Sequence, residues 1–293
     1  MDKQVYKANT LLMLTAIIWG TAFVAQRVGM SYIGPLTFNG IRFALGTMVL
    51  FPLAIMQKKA ESRETENAVV PLITRSAILW GILAGVVLFS GATLQQIGLI
   101  YTTAGKAGFI TGLYVIIVPI MGLLWGHRPG WGGWLGAFLA SIGLYLLSVT
   151  EAMTFAPGDL WELFGAFFWA AHIMILNHIS PKANGIRLAC TQYAVCSLLS
   201  LIIAVFTESA TLGALYGASI PILYGGILSV GIAYTLQIIA QRYAPPIHVA
   251  IILSLEAVFA ALAGWIILGE ILSTRGLIGC MLMLAGMITA QVW

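Results

Sequence analysis

Residues 93–126 have the sequence TLQQIGLIYTTAGKAGFITGLYVIIVPIMGLLWG, and residues 235–268 have the sequence TLQIIAQRYAPPIHVAIILSLEAVFAALAGWIIL. The second stretch repeats the first 142 residues later, so that Thr-Leu-Gln opens both copies and Leu113 aligns with Leu255. Each copy contains an apolar helix, a short turn and a second apolar helix. Copies this degenerate indicate one old duplication and not a short-period solenoid.

The composition is that of a membrane protein. Sixty per cent of the residues are apolar and only 8% are charged, whereas soluble domains carry roughly 25% charged residues. Continuous apolar runs of about 20 residues have the length needed to cross ~30 Å of hydrocarbon. The runs do not alternate between polar and apolar residues, which excludes the strands of a β-barrel. The sequence therefore predicts an all-α membrane protein.

Ten transmembrane helices are predicted, and most connections between them are short. Their approximate bounds are 9–29, 35–56, 76–100, 103–125, 131–149, 159–179, 186–206, 218–242, 246–268 and 274–292. Only the connection at 57–75 is long and charged, and we predict a polar surface loop there. The first apolar run is too long for the core of a signal peptide, so it is predicted to stay as a membrane anchor.

The basic residues predict the orientation. With the N-terminus in the cytoplasm, ten of the fourteen Lys and Arg residues fall on the cytoplasmic side, as the positive-inside rule requires. They are Lys3, Lys7, Lys58, Lys59, Arg63, Arg75, Arg128, Lys182, Arg187 and Arg242. The connection at 151–159 carries no Lys or Arg and is predicted to lie outside. An even number of spans places both termini in the cytoplasm, and the expected location is the inner or plasma membrane of the cell.

The duplication extends over the whole chain. Trp19 aligns with Trp169 at an offset of 150, and Gly136 aligns with Gly279 at an offset of 143. The two predicted five-helix repeats are residues 1–150 and residues 151–293. Because five is odd, the second repeat must enter the membrane with the opposite orientation. Inverted repeats of this kind recur in secondary transporters, whose substrate sites lie near the bilayer midplane between the halves.

The chain resembles the EamA family of the drug/metabolite transporter (DMT) superfamily over essentially its whole length. The segments that carry the resemblance are TAIIWGTAFVAQR (15–27), IRF (41–43), TTAGKAGFITGLYVIIVPIMGLL (102–124) and LSLEAVFAALAGWIILGE (253–270). The last segment is the most specific, although Ala257 stands where the family usually has a proline. The first repeat ends in Gly126-His127-Arg128, where the family often has Gly-Glu. The resemblance implies a ten-helix carrier, and many such carriers export amino acids or related metabolites.

Glu256 is the only carboxylate in the middle of a predicted span. A charge near the bilayer centre costs roughly 2.5–3.5 kcal/mol on insertion scales, so this side chain should face a cavity or a partner. We predict that it binds a proton or an amine; the alternative is a protonated group that only hydrogen-bonds a neighbouring helix. Its repeat partner is Tyr114, which is also at mid-span. The two equivalent positions therefore carry different functional groups, a phenol and a carboxylate.

Aromatic side chains also lie at mid-span. Trp19 and Trp169 are far from the membrane interfaces, where Trp normally collects. Phe23 shares a helical face with Trp19, and His172 shares one with Trp169. Such stripes more often indicate helix packing, and a lone His is more often a packed residue than a proton relay, but the polar members favour a cavity wall. Aromatic faces beside Glu256 suit an organic ammonium. The predicted substrate-binding residues are Trp19, Phe23, Tyr114, Trp169, His172 and Glu256.

Three further polar residues are assigned to gating. Gln95 and Gln237 occupy equivalent repeat positions, so inversion places Gln95 toward the outer face and Gln237 toward the inner face. The alternative is that they only form interhelical hydrogen bonds, worth about 0.6 kcal/mol each. Arg42 lies two turns into the second span and is expected to pair with a carboxylate, either that of Glu162 or that of the substrate.

These features predict a secondary transporter that moves a small amphiphilic metabolite by alternating access, and the family resemblance implies export of amino acids or related amine metabolites. No nucleotide-binding glycine loop, zinc-ligand spacing or nucleophile motif is present in the sequence, so no cofactor, metal or catalytic residue is predicted, and a proton gradient or facilitated diffusion is the expected driver. The expected partners are a small-molecule substrate, protons and the lipid bilayer, but no nucleic acid, with the chain as a monomer or homodimer. The alternative function is an intramembrane enzyme that uses Glu256 and His172 on a lipid or peptide.

Overall fold

The computed structural model describes residues 3–64, 73–102, 104–148, 157–268 and 273–292. Every regular element within these residues is a helix. The first half contains α1 (Lys3–Gly29), α2 (Pro35–Glu64), α3 (Ile73–Tyr101), α4 (Ala104–Gly112), α5 (Tyr114–Leu124) and α6 (Trp131–Ser148). The second half contains α7 (Pro157–Ile179), α8 (Gly185–Thr207), α9 (Leu212–Gly217), α10 (Ser219–Leu223), a π-helical segment (Tyr224–Tyr234), α11 (Thr235–Ala240), α12 (Pro246–Ser254), α13 (Glu256–Leu268) and α14 (Thr274–Val292).

The predicted class, an all-α membrane protein, is confirmed. Among the described residues, nine helical runs are long and apolar enough to cross a membrane, and Trp131–Leu147 is a shorter apolar helix at the fifth predicted span. Large apolar side chains such as Leu124, Phe206 and Leu212 are exposed on the outside of the bundle. Such a surface suits lipid, whose tails are as apolar as a leucine side chain.

The predicted bounds of the polar loop, residues 57 and 75, are both wrong. The helix α2 continues to Glu64, α3 already begins at Ile73, and residues 65–72 lie outside the described part of the chain. Residues 57–64 are QKKAESRE, which is rich in strong helix formers, so the helix continues past the end of the apolar run. The predicted outer loop at 151–159 lies mostly outside the described residues, and its last three residues belong to α7.

Two predicted spans are each interrupted by a single residue. Leu113 separates α4 from α5, and Leu255 separates α12 from α13. At both points the backbone tightens to a 3₁₀-type turn, with the N–H of Leu113 bonded to the carbonyl of Ile110 and that of Leu255 bonded to the carbonyl of Ile252. The second interruption forms although Ala257, and not a proline, follows Glu256.

The eighth predicted span contains an extended π-helical segment. The run Ser219–Ala240 joins α10, the π-helical segment and α11 without a break. π-Helical turns are rare and are found frequently at functional sites. Three glycines, Gly225, Gly226 and Gly231, lie within this segment, and its side chains reach the cavity described below.

The helices α6 and α14 pack closely in antiparallel fashion. A Cβ atom added to Gly143 would lie 2.5 Å from the carbonyl oxygen of Gly279, and one added to Gly136 would lie 2.7 Å from that of Gly286. Only glycine fits at such distances, because any larger residue would meet backbone atoms that cannot turn away. Both helices of this pair also contact α12, whereas α1 packs against α11, α12, α13 and the π-helical segment.

Side-chain hydrogen bonds fix the ends of α8 and the start of α2. The Asn184 side chain caps α8 by accepting from the backbone N–H of Ile186 at 3.1 Å. The Glu208 carboxylate, which follows α8, accepts from the N–H groups of Leu36 and Thr37, each at 2.8 Å. A negative charge at the N-terminus of α2 is favourable for the helix dipole, so this contact ties the start of α2 to the end of α8.

Candidate functional site

A small internal cavity lies where α1, the two interrupted spans, α7 and the π-helical segment converge. The space open to the centre of a water molecule is about 40 Å³, which is room for a few water molecules at about 10–15 Å³ each. Its lining mixes aromatic rings, amides and ionisable groups. The lining residues are Trp19, Phe23, Gln26, Arg42, Gln95, Thr111, Tyr114, Trp169, His172, Ile173, Ser229, Tyr234, Gln237, Leu253 and Glu256.

All nine residues predicted for binding or gating line this one cavity. Four different helices, α1, α5, α7 and α13, contribute the six residues predicted to bind substrate, so the tertiary structure brings together positions that are far apart in the chain. The placement is an observation, and the individual roles of the nine residues stay predictions.

The cavity contains a direct contact between two repeat partners. The hydroxyl of Tyr114 donates a hydrogen bond of 2.9 Å to Oε1 of Glu256. Glu256 is 4% exposed, and no basic side chain among the described residues pairs with it. Both residues stand immediately after the interruptions at Leu113 and Leu255, so each interruption places its residue at the cavity.

An aromatic cluster centred on Tyr234 forms another part of the wall. The Tyr234 ring lies 4.4 Å from that of Trp19, 6.1 Å from that of Trp169 and 6.3 Å from that of His172, measured between centroids. The Trp169 and Tyr234 rings are stacked at an interplanar angle of 25°. Aromatic faces arranged in this way attract organic cations through their quadrupoles.

The π-helical segment is fastened to α1 by backbone carbonyls. The indole N–H of Trp19 donates to the carbonyl of Ser229 at 3.3 Å, and the hydroxyl of Thr15 donates to the carbonyl of Ala233 at 3.2 Å. A helix with wide turns can offer its carbonyl groups to side chains of a neighbouring helix. These bonds hold Trp19 against the cavity.

His172 has a partner of its own. Its Nε2 lies 3.0 Å from Oε1 of Gln192 on α8, and the side chain is buried. The ring meets that of Trp169 edge-on, with centroids 6.2 Å apart. His172 therefore lines the cavity and at the same time ties α7 to α8.

The two glutamines predicted as gates line the same cavity from different helices. Gln95 lies near the end of α3, and Gln237 lies in α11. Both are buried, and Oε1 of Gln237 has no hydrogen-bond partner among the described residues. Their assignment to opposite faces of the membrane stays a prediction.

The structure does not bring Arg42 together with Glu162, the first of its two expected partners. Glu162 accepts a hydrogen bond of 3.1 Å from Thr111 on α4. The Arg42 guanidinium lies over the rings of Phe38 and Phe43, at 5.4 and 5.1 Å from their centroids. The two residues are separated because α7 presents Glu162 to α4, whereas Arg42 faces the aromatic residues of its own helix α2.

Several lining residues were not among the predicted binding or gating residues. Tyr234 shares a helical face with Gln237 and Gln241 in the sequence, and that pattern was available as a signal. Ser229 lines the cavity, and its backbone carbonyl also accepts from the indole of Trp19, a contact that no side-chain pattern reveals. Thr111 lines the cavity one turn before Tyr114, on the other side of the interruption at Leu113.

Comparison with known proteins gives consistent matches. The model of the EamA-like transporter family matches residues 6–149 and again residues 156–290. A protein of Archaeoglobus fulgidus named "uncharacterized transporter" is 32% identical over 291 residues, which is 99% of this chain and 87% of that protein. The uncharacterized transporter YoaV of Bacillus subtilis is 23% identical over 92% of this chain and 91% of its own.

A solved crystal structure has the same fold. It superposes with a TM-score of 0.76 and covers 97% of this chain and 96% of its own chain, at 18% sequence identity. At 18% identity, the similarity between the two structures shows a shared fold and nothing about function.

Proposed function

Because this chain belongs to the EamA-like transporter family and is a multi-pass membrane transporter, we propose that it is a secondary transporter of small amine-bearing metabolites, with amino acids first among them. We propose export as the direction, as the family resemblance implies, and alternating access between two inverted halves as the mechanism. The observation that carries the proposal is the hydrogen bond between Tyr114 and Glu256 inside a cavity walled by aromatic rings.

The chemistry of the cavity suits an ammonium group. Glu256 supplies a carboxylate, and Trp19, Trp169 and Tyr234 supply π faces around the same space. Cation–π attraction contributes about 2 kcal/mol or more when both groups are removed from water. A carboxylate that binds either an ammonium or a proton, but not both, would couple the exit of the solute to the entry of a proton.

The contact between Tyr114 and Glu256 supports two inverted halves. If a pseudo-twofold axis relates the halves, equivalent residues can touch only where the axis passes between them. These two residues are 142 positions apart, which is the offset of the repeat, and they are bonded to each other. The interruptions at Leu113 and Leu255 are separated by the same offset.

The packing of α6 against α14 supports the same arrangement. The repeat pairs Gly136 with Gly279 and Gly143 with Gly286. In the structure Gly136 lies against Gly286, and Gly143 lies against Gly279. This exchange of partners is the contact pattern that a twofold axis between antiparallel helices produces.

Equivalent hydrogen bonds also occur at the helix ends. The Arg27 guanidinium donates to the carbonyl of Thr102, and the Asn177 side chain donates to the carbonyl of Ala244 at 3.1 Å. Arg27 and Asn177 are related by the offset of 150, and Thr102 and Ala244 by the offset of 142. In each half, the end of the first helix is thus tied to the end of the third span.

The size of the cavity supports a mechanism in which the halves move. A space that holds only a few water molecules is too small for most metabolites, so we infer that the surrounding helices separate when the solute binds. Gln95 and Gln237 line the cavity at equivalent positions of the two halves, which suits gates that open in turn. We place the protein in the cell membrane with both termini in the cytoplasm, on the basis of the Lys and Arg distribution.

Solute uptake into proteoliposomes at several pH values tests the proposed function. The variants are Trp19→Ala, Trp169→Ala and Glu256→Gln, and the control is Trp265→Ala, since Trp265 is 54% exposed on the outside of the bundle. Transport of isotope-labelled amino acids and amines should fall about tenfold or more in the two cavity Trp variants, given the size of a desolvated cation–π contact, and should stay unchanged in the control.

Glu256→Gln should reduce transport and flatten its pH dependence while the protein still folds. Recovery of the solute chemically unchanged distinguishes a carrier from an intramembrane enzyme. Unchanged rates and an unchanged pH profile in Glu256→Gln would place the substrate site elsewhere, and release of a cleaved or modified product would favour the enzyme.

A further inference from the structure

We propose that Arg42 binds the carboxylate group of the transported solute, so that the cavity selects a zwitterion such as an amino acid over a simple amine. This inference rests on the proposed function, because it adds a second charged contact to the same cavity. Of the two partners that the sequence suggested for Arg42, the structure separates it from Glu162, and the inference takes up the other, the substrate carboxylate, as a binding contact in addition to the predicted gating role.

Arg42 is a buried cation without an acidic partner among the described residues. It is 2% exposed, its Nε has no hydrogen-bond partner, and it lines the cavity. Removing a guanidinium from water without a counter-charge is costly, and buried charges in proteins are normally paired. An anionic group within the cavity would complete the pair.

The surroundings of Arg42 hold the guanidinium in place without using its N–H groups. The rings of Phe38 and Phe43 lie 5.4 and 5.1 Å from it, and both rings are fully buried. On the other side, the π-helical segment packs against the stem, since a Cβ atom added to Gly225 would lie 3.3 Å from Cδ of Arg42. A fixed, planar guanidinium matches the two oxygens of a carboxylate.

The buried acids nearby are engaged elsewhere. Glu162 accepts from Thr111 at 3.1 Å, and Glu256 accepts from Tyr114 at 2.9 Å. Arg42 and Glu256 therefore line one small cavity and do not pair with each other. A solute that carries both an ammonium and a carboxylate satisfies both residues, whereas a simple amine would add a positive charge beside an unpaired guanidinium.

The test compares solutes that differ only at the carboxylate. The probes are L-leucine, L-leucinamide and isopentylamine, together with L-phenylalanine, L-phenylalaninamide and phenethylamine. Binding to the purified full-length protein in detergent is measured by the shift in melting temperature with probe concentration. The variants are Arg42→Gln and Arg42→Lys, and each is first compared with the wild-type protein for its melting temperature without probe.

The wild-type protein should bind at least one amino acid about tenfold or more tightly than its amide and its amine, as expected for a charged hydrogen bond. Arg42→Gln should lose that preference while it keeps its affinity for the amine. A role in packing alone would instead lower the affinity for all three forms alike. If Arg42→Gln does not fold, the inference is tested by the wild-type protein and Arg42→Lys. The wild-type protein should prefer the amino acid over its amide and amine, and Arg42→Lys should keep part of that preference.

Two results would overturn the inference. Amines or amides that bind as tightly as the amino acids would show that Arg42 contacts no carboxylate, and the proposed transport of amines would stand. The same conclusion follows if the preference for amino acids is unchanged in Arg42→Gln. Absence of binding by all six probes would count against both this inference and the proposed function.

Discussion

The interrupted span α4–α5 and the interrupted span α12–α13 have the same construction and different chemistry. Each is broken by one leucine at an equivalent repeat position, and each presents the next residue to the cavity. That residue is Tyr114 in the first span and Glu256 in the second, and the two are hydrogen-bonded to each other. The two spans therefore share an interruption at the same offset, whereas only the second carries a carboxylate next to it.

The surroundings of the two spans differ as well. In α12 every residue except His248 is buried, so the residues that precede Glu256 are surrounded by protein. After the interruption, Ile116 of α5 is exposed, whereas the equivalent Val258 of α13 is buried. A carboxylate is costly next to lipid, so the more enclosed of the two spans is the one that carries it.

The largest effect is expected from exchanging the two central residues. Glu256→Tyr should reduce transport about tenfold or more, because hydrogen bonds and contacts that involve a charged group contribute about 1.5–3 kcal/mol. Adding Tyr114→Glu should restore part of the loss, since a pseudo-twofold axis returns the carboxylate to an equivalent place. Initial rates in proteoliposomes measure both. A double variant no better than Glu256→Tyr would show that the two positions are not interchangeable.

An intermediate effect is expected at the contact between α6 and α14. Gly143→Ala and Gly279→Ala should each destabilise the protein by about 1–3 kcal/mol, as overpacking does, because the added Cβ would meet a backbone carbonyl at 2.5 Å. Gly130→Ala is the matched control, since a Cβ there meets nothing within 4 Å. Melting temperatures in detergent report the difference. Equal stability in all three variants would argue against this close contact.

The smallest effect is expected from the two glutamines. Gln95→Leu and Gln237→Leu each remove an amide worth about 0.6 kcal/mol, which is roughly a threefold change in a conformational equilibrium, and the two changes should go in opposite directions. After the native cysteines are replaced, labelling of Ser229→Cys from each side of the membrane reports the shift. Shifts in the same direction in both variants would contradict the assignment of gates to opposite faces.

The two sides of the membrane must be identified independently for that experiment. Gly130→Cys and Gly213→Cys serve this purpose because both positions are exposed. From the Lys and Arg distribution we expect labelling of residue 130 from the cytoplasm and of residue 213 from outside. The reverse pattern would invert the predicted orientation and exchange the roles of Gln95 and Gln237.

The class of the protein and the location of its candidate site were predictable from the sequence. Continuous apolar runs identify membrane-spanning helices because apolar side chains are stable in lipid and a helix satisfies its own backbone hydrogen bonds there. Glu256, Trp19 and Trp169 were identified because such residues are unusual at mid-span. Helix ends were less predictable, since α2 continues through the polar residues 57–64, where helix propensity and not hydropathy sets the limit.

Only the tertiary structure decided which of these groups meet. The bond between Tyr114 and Glu256, the π-helical segment that carries Tyr234, and the separation of Arg42 from Glu162 all depend on how helices from both halves pack. A pattern along one helix gives the face on which a side chain lies, but it does not give the partner on the opposing helix. The sequence therefore determined a membrane transporter with polar groups at mid-span. Packing decided that Glu256 is hydrogen-bonded to Tyr114 and that Arg42 has no acidic partner in the described part of the chain.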